Sequence, residues 1–148
     1  MKKVVMVSVF IAFAGFCKAQ NTDMVSKSAR KAIESSNAIY ADLANKDDGS
    51  ILTRYTEDAC LFPPSASPVC GREQIASFFK GGPKVHVTFT IQHLYGNDKT
   101  FITEESFYEM RDLDGKKIDD GKVMVIWKNT KNGWKMHRDM FSSNHPAK

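Results

Sequence analysis

The sequence has no lysine and arginine run of the length used for nucleic acid, no glycine-rich phosphate loop and no Ser-His-Asp order. Its four histidines, His86, His93, His137 and His145, show no H-x-x-x-H spacing and no Cys/His ligand spacing. No metal site and no cofactor is therefore expected. "FFKGGPK" reads as a helix exit, not a phosphate cradle. There is no internal repeat and no low-complexity segment. Cysteine is scarce, with three in 148 residues. The apolar run Val4 to Phe16 is too short to span a bilayer.

That run belongs to a leader. "MKKVVMVSVFIAFAGFCKAQ" has a basic start (Lys2, Lys3), an apolar centre and the small-ended tripeptide Cys17-Lys18-Ala19. Residues 1–19 read as a secretory signal peptide cleaved before Gln20, followed by a single domain over 20–148. The expected location is periplasmic or secreted, with no membrane insertion after cleavage. Lipidation at Cys17 is the rival reading, against which stands the bulky Phe16. Cleavage changes the charge. The whole chain has 21 basic and 17 acidic residues, net +4. The leader holds three lysines and no acid, so the mature chain has 21 − 3 = 18 basic residues against 17 acidic. The excess basicity lay mainly in the leader, and no nucleic-acid partner is expected.

From Asp23 to Lys46 apolar and small residues recur every three or four positions, which predicts one amphipathic helix stopped near Gly49. "SILTRYT" predicts a short second helix and "GREQIASFFKGGP" a third. "DACLFPP" and "SPVCG" read as a strand and a short return strand. Beyond Val85 the period switches to two. Four long strands, 85–95, 100–111, 122–129 and 134–142, are joined by turns rich in Gly, Asn and Asp. The fold class is α+β: a curved antiparallel sheet with three helices in the N-terminal half, covering one face only.

Cys60 and Cys70 are equidistant from Ser65. A hairpin centred there sets them opposite one another, at a separation that a disulfide accepts. The alternative is two small, half-buried thiols.

"RYTEDACLFPPSASPVCGREQIASFF" and "GKVMVIWKNTKNGWKMHRDMFSSN" resemble segments of the nuclear transport factor 2-like superfamily, in its SnoaL-like and ketosteroid-isomerase-like branch. The resemblance covers essentially the whole mature chain. It implies a cone, in which a curved sheet wraps a pocket roofed by helices. It does not imply one chemistry, because members include isomerases, cyclases, dehydratases, ligand binders and assembly modules. The steroid isomerases' helix tyrosine falls on Tyr40, their base at or near Pro63 and their third group near Met124 or Val125. Pro63, Met124 and Val125 cannot do proton chemistry, so steroid isomerisation is not implied.

The same match points His137, Asp139 and Phe141 into the cone, and Trp134, Met136, Arg138 and Met140 outward. The SnoaL-like cyclases use a pocket aspartate as general acid/base, which singles out Asp139. Its companions are His137, as hydrogen-bond partner, and Tyr40. Tyr55, Phe62, Phe78, Tyr108, Met124 and Phe141 are the expected ligand-binding residues, with core filling as their other reading. For Asp139 the other reading is a structural carboxylate. Glu104-Glu105 and Asp119-Asp120 each point to opposite faces, with a solvated edge or turn as the default. Val123, Val125 and Trp127 are expected to join the outward residues in an apolar patch covered by a second copy. The functional expectation is a secreted domain that binds a small, largely apolar molecule, with cofactor-free isomerisation, cyclisation or dehydration at Asp139. A non-catalytic binder and a dimeric interaction module are the other readings.

Overall fold

The computed structural model describes residues 25–146, so the expected leader, with Cys17, lies outside the described residues. Helix α1, Lys27–Ala38, begins at Ser26, whose hydroxyl accepts from the Ala29 amide at 3.2 Å. It buries Ala29, Ile33, Ser36 and Asn37. The periodicity predicted one helix through Lys46, but the chain breaks at Ile39 (φ −104°, ψ 2°) and resumes as α2, Tyr40–Asn45. The break leaves Ile39 exposed and turns Tyr40 onto Phe79 and Phe89, with ring centroids 6.1 and 5.6 Å apart. Gly49, at φ 79°, takes the left-handed conformation expected of it and starts a 3-10 helix, Ser50–Arg54.

The remaining elements are β1 (Tyr55–Phe62), β2 (Val69–Cys70), α3 (Arg72–Phe79), β3 (His86–Gly96), β4 (Phe101–Arg111), β5 (Lys117–Thr130) and β6 (Gly133–Ser143). They form one six-stranded sheet in the order β2-β1-β6-β5-β4-β3. Strands β3 to β6 make the antiparallel meander that the turn residues predicted. The expectation of a wholly antiparallel sheet is corrected at one seam. β1 lies parallel to β6, because the chain closes its path by laying the last strand beside the first in the same direction. The β1–β2 hairpin is centred on Ser65 (φ 56°), pairs Cys60 with Cys70, and is closed by a Cys60–Cys70 disulfide.

Helices α1, α2 and α3 rest on one face of the sheet, against β3 and β6, β3, and β1 respectively. The register lays rows of side chains across that inner face. One runs Leu94–Glu104–Val125–Asp139–Leu61, and every member is buried. A second runs Ile102–Trp127–Met136–Tyr55, again all buried. The neighbouring outer row is His93–Glu105–Met124–Met140–Phe62.

These rows correct the expected outer patch. Strict alternation along β6 set Met136 outward with Val123, Val125 and Trp127. All four are buried on the inner face. The cause is a bulge: Met136 pairs with Trp127 and Arg138 with Ile126, so His137 is an extra residue opposite no partner. The bulge lets Met136 and Asp139, three residues apart, face the same way. Trp134 likewise packs against the core instead of facing outward.

Candidate functional site

The inner rows and the helices enclose a cavity of ≈ 70 Å3. That is about half the roughly 150 Å3 of an apolar cavity that holds benzene, well below the size of a steroid. Its wall is mostly apolar, with Val87, Met110, Val123, Val125 and Met136 beside the rings of Tyr40, Phe89, Tyr108 and Phe141. Gly121 pairs with Tyr108 across the sheet, and a Cβ there would come within 2.7 Å of the Tyr108 ring. The ring can therefore lie flat against the strand only over a glycine. The wall has three strongly polar groups: Asn37, Glu104 and Asp139.

Asp139 is 5% exposed. The Tyr55 hydroxyl donates to its Oδ2 at 2.6 Å. Tyr40 and Tyr55 hydroxyls lie 3.2 Å apart, and since Tyr55 spends its proton on Asp139, Tyr40 is the donor in that pair. The result is a relay, Tyr40 to Tyr55 to Asp139. The other oxygen of Asp139 has no hydrogen-bond partner among the described residues and is not sealed from the cavity. Burial raises the carboxyl pKa to about 6. The Tyr55 hydrogen bond lowers it in part, and the charge of Glu104 raises it further. Burial, and then the nearby Asp139 charge, push both tyrosines well above the ordinary phenol range, so both stay protonated donors.

Glu104 is 1% exposed and sits in the same row as Asp139, two strands away, about 10 Å from backbone to backbone. Asn37 Nδ2 and the Ser106 hydroxyl donate to its Oε1, and Trp127 Nε1 donates to Oε2; the Asn37 and Trp127 bonds are 2.8 Å each. Burial raises this carboxyl, while the donors from Ser106, Trp127 and Asn37 pull it back toward the charged form. The Glu104 carboxyl is therefore anchored by three donors and faces Asp139.

Of the residues that the sequence singled out, the structure brings Tyr40, Tyr108, Asp139 and Phe141 to the cavity wall and sets Tyr55 directly behind Asp139. Four lie elsewhere. His137 is the bulge residue. Its ring lies against Phe101 at 5.8 Å, and its Nδ1 faces Thr56 Oγ1 at 3.1 Å and Asp58 at 3.4 Å, away from the cavity. Partial burial and the adjacent Arg138 lower its pKa. Met124, 48% exposed, is on the outer face because Val125 takes the inner position. Phe62 lies beside Met140 on that same outer row, since Leu61 takes the inner one. Phe78 is exposed, and its neighbour Phe79 turns inward to Tyr40 and Tyr55.

Sequence reasoning missed Glu104 and its donors. Two signals were present. Ile102, Glu104, Ser106 and Tyr108 alternate on one face of β4. A buried indole also needs an acceptor for its N–H, and Trp127 had none nearby in sequence. Asp119, the inner member of the other acidic pair, is likewise engaged: Tyr108 donates to it at 2.6 Å and Ser143 at 2.7 Å.

No protein-family model matches the chain, and no curated protein matches it in sequence. Solved structures do match in fold. A protein of unknown function with a cystatin-like fold from Nostoc punctiforme superposes with a TM-score of 0.71 at 14% identity, over 81% of this chain and 94% of that one. A ketosteroid isomerase-like protein from Erwinia carotovora atroseptica gives 0.65 at 17% identity, over 82% and 100%. A nuclear transport factor 2-like protein with a cystatin-like fold from Novosphingobium aromaticivorans gives 0.65 at 16% identity, over 81% and 84%. At these identities the likeness fixes the fold and leaves the chemistry to the residues of this chain.

Proposed function

Starting from a nuclear transport factor 2-like, cystatin-like fold, we propose that the chain binds a small, largely apolar molecule in the inner cavity and moves a proton on it through Asp139, without a cofactor. The observation that carries this reading is the cavity-facing carboxyl of Asp139. It is buried among apolar side chains, held at one oxygen by Tyr55 and open at the other, with a pKa raised to about 6. A carboxyl in that state is a base just above its pKa and an acid just below it, as isomerisation, cyclisation or dehydration requires. The Tyr40–Tyr55 relay fixes its rotamer. The size of the cavity limits the reacting part of the molecule to a compact group, smaller than a benzene ring.

Solvent-deuterium exchange tests this without knowing the natural substrate. Acetone and its dimethylamino derivative in D2O expose a proton α to a carbonyl, which the Asp139 carboxylate takes and returns as a deuteron. The native protein is expected to accelerate exchange, and Asp139→Asn to abolish the acceleration. Equal rates with both proteins would refute proton transfer at this residue. A non-catalytic binder is the second reading, favoured by the four rings that crowd the cavity. Binding without exchange would select it.

Two further parts of the proposal concern where and how the domain works. Export with cleavage after Ala19 is supported by the leader pattern and by the Cys60–Cys70 disulfide, which suits an oxidising compartment. N-terminal sequencing should start at Gln20. The outer face exposes Phe107, Met124 and Met140, and a second copy of the chain is proposed to cover them, in place of the patch expected from alternation.

A further inference from the structure

We infer that the molecule taken by the cavity is a small organic cation, an ammonium with a compact apolar body, held by Asp139, Glu104 and the aromatic wall together. This rests on reading the cavity as a small-molecule site and names the class of molecule.

The charge balance of the wall points to a cation. The wall carries two carboxyls and no lysine, arginine or histidine. Around Asp139 stand Tyr55 from β1, Tyr40 from α2, and Glu104 and Tyr108 from β4, none of them a cation, with Val125 between the two acids on β5. Arg30, on α1, acts on Glu104 from outside the wall and is itself engaged with Glu34 at 3.1 Å. Buried charges in proteins are ordinarily paired, because an unpaired one is costly to desolvate. Here two carboxyls share one apolar chamber, and one oxygen of Asp139 is unpartnered among the described residues. An anionic guest would add a third negative charge. A neutral guest would leave the two in place. A cation offsets one of the two and is attracted by both.

The rest of the wall suits the same guest. Tyr40, Phe89, Tyr108 and Phe141 surround the space. Aromatic faces attract ammonium groups, most strongly where water is excluded. The space is about half the roughly 150 Å3 of an apolar cavity that holds benzene, so it suits a compact head such as a methylated nitrogen and not a long chain. The charge also bears on the proposed proton transfer. Removing a carbon-bound proton from a neutral compound creates an anion beside Glu104. The same step on an ammonium-bearing compound leaves a guest of no net charge.

Tetramethylammonium and tert-butanol are the probes, equal in size and different in charge, with binding followed by NMR titration of the native protein. Tetramethylammonium cannot titrate, so any pH dependence belongs to the protein. At pH 8 it is expected to bind at least tenfold more tightly than tert-butanol, and at least fivefold more tightly than it does itself at pH 5. In Asp139→Asn the preference is expected to shrink by tenfold or more, while tert-butanol binding is kept. The pH comparison uses unmutated protein and so stands even if the variant folds poorly. If tert-butanol binds as well as the cation at pH 8, the charge inference is overturned and the small-molecule site survives. If neither probe enters, the site itself is refuted and the inference with it.

Discussion

The two faces of the sheet are built from the same strands, yet Glu104 and Glu105, adjacent on β4, have opposite surroundings. Glu104 is buried and takes three hydrogen bonds from α1, β4 and β5. Glu105 lies on the far side, where the exposed Tyr95 hydroxyl donates to it at 3.3 Å. Val125 and Met124 repeat the contrast on β5, and Asp139 and Met140 on β6. The inner face keeps carboxyls by surrounding them with donors and excluding water. The outer face keeps 50%-exposed Phe107 and 52%-exposed Met140 among charged neighbours. The same residue type is thus a site component on one face and a solvated group on the other, and a shift of one residue decides which.

The contrast breaks most sharply at paired substitutions. Glu104→Leu leaves the Asn37, Ser106 and Trp127 donors buried without an acceptor, and is expected to cost about 3–5 kcal/mol in denaturant unfolding. Glu105→Leu should cost no more than about 0.5 kcal/mol. Similar losses in both would mean that Glu104 is not the anchor described.

Val125→Asp, which adds a third carboxyl between Glu104 and Asp139, should lose more than about 3 kcal/mol at pH 7. Met124→Asp should stay near native stability.

The pH dependence of stability comes next in size. The folded pKa of Asp139, about 6, lies above its ordinary value of 3.8. Between those values the folded state holds the proton more tightly than the unfolded state does. Stability therefore falls as pH rises from 4 through 6, by about 3 kcal/mol if the whole shift is expressed. Asp139→Asn should flatten that window in urea melts taken from pH 4 to pH 7.5. A native protein that gains stability across it, with no change in the variant, would contradict the sign.

The smallest effect on folding belongs to Met140→Asp, which should leave the unfolding midpoint nearly unchanged while shifting sedimentation from dimer to monomer. A native protein that sediments as a monomer at micromolar concentration removes the proposed second copy.

How much of this was legible follows from the physics of each signal. The meander was readable because alternation and turn residues act locally, and so was the Cys60–Cys70 pairing, since it follows from symmetry about Ser65. The parallel β1–β6 seam was not, because it joins residues some 80 positions apart and leaves no local mark. Asp139 was placed correctly because it lies C-terminal to the bulge, where alternation still holds. His137, Met136 and the outer patch were misplaced for the same reason in reverse. One extra residue in β6 has no compositional signature, yet it inverts every face assignment before it. Met124, Phe62 and Phe78 failed by a single position each, with Val125, Leu61 and Phe79 taking the inner places.

The central claim is that Asp139 is a buried, cavity-facing carboxyl whose proton is exchangeable near neutrality. Carbon-13 NMR titration of the aspartate carboxyls, with Asp139 assigned by its loss in Asp139→Asn, reads that group directly. The account predicts a midpoint near 6, displaced downward when tetramethylammonium is bound. A midpoint near the ordinary 3.8, unmoved by the cation, would contradict it.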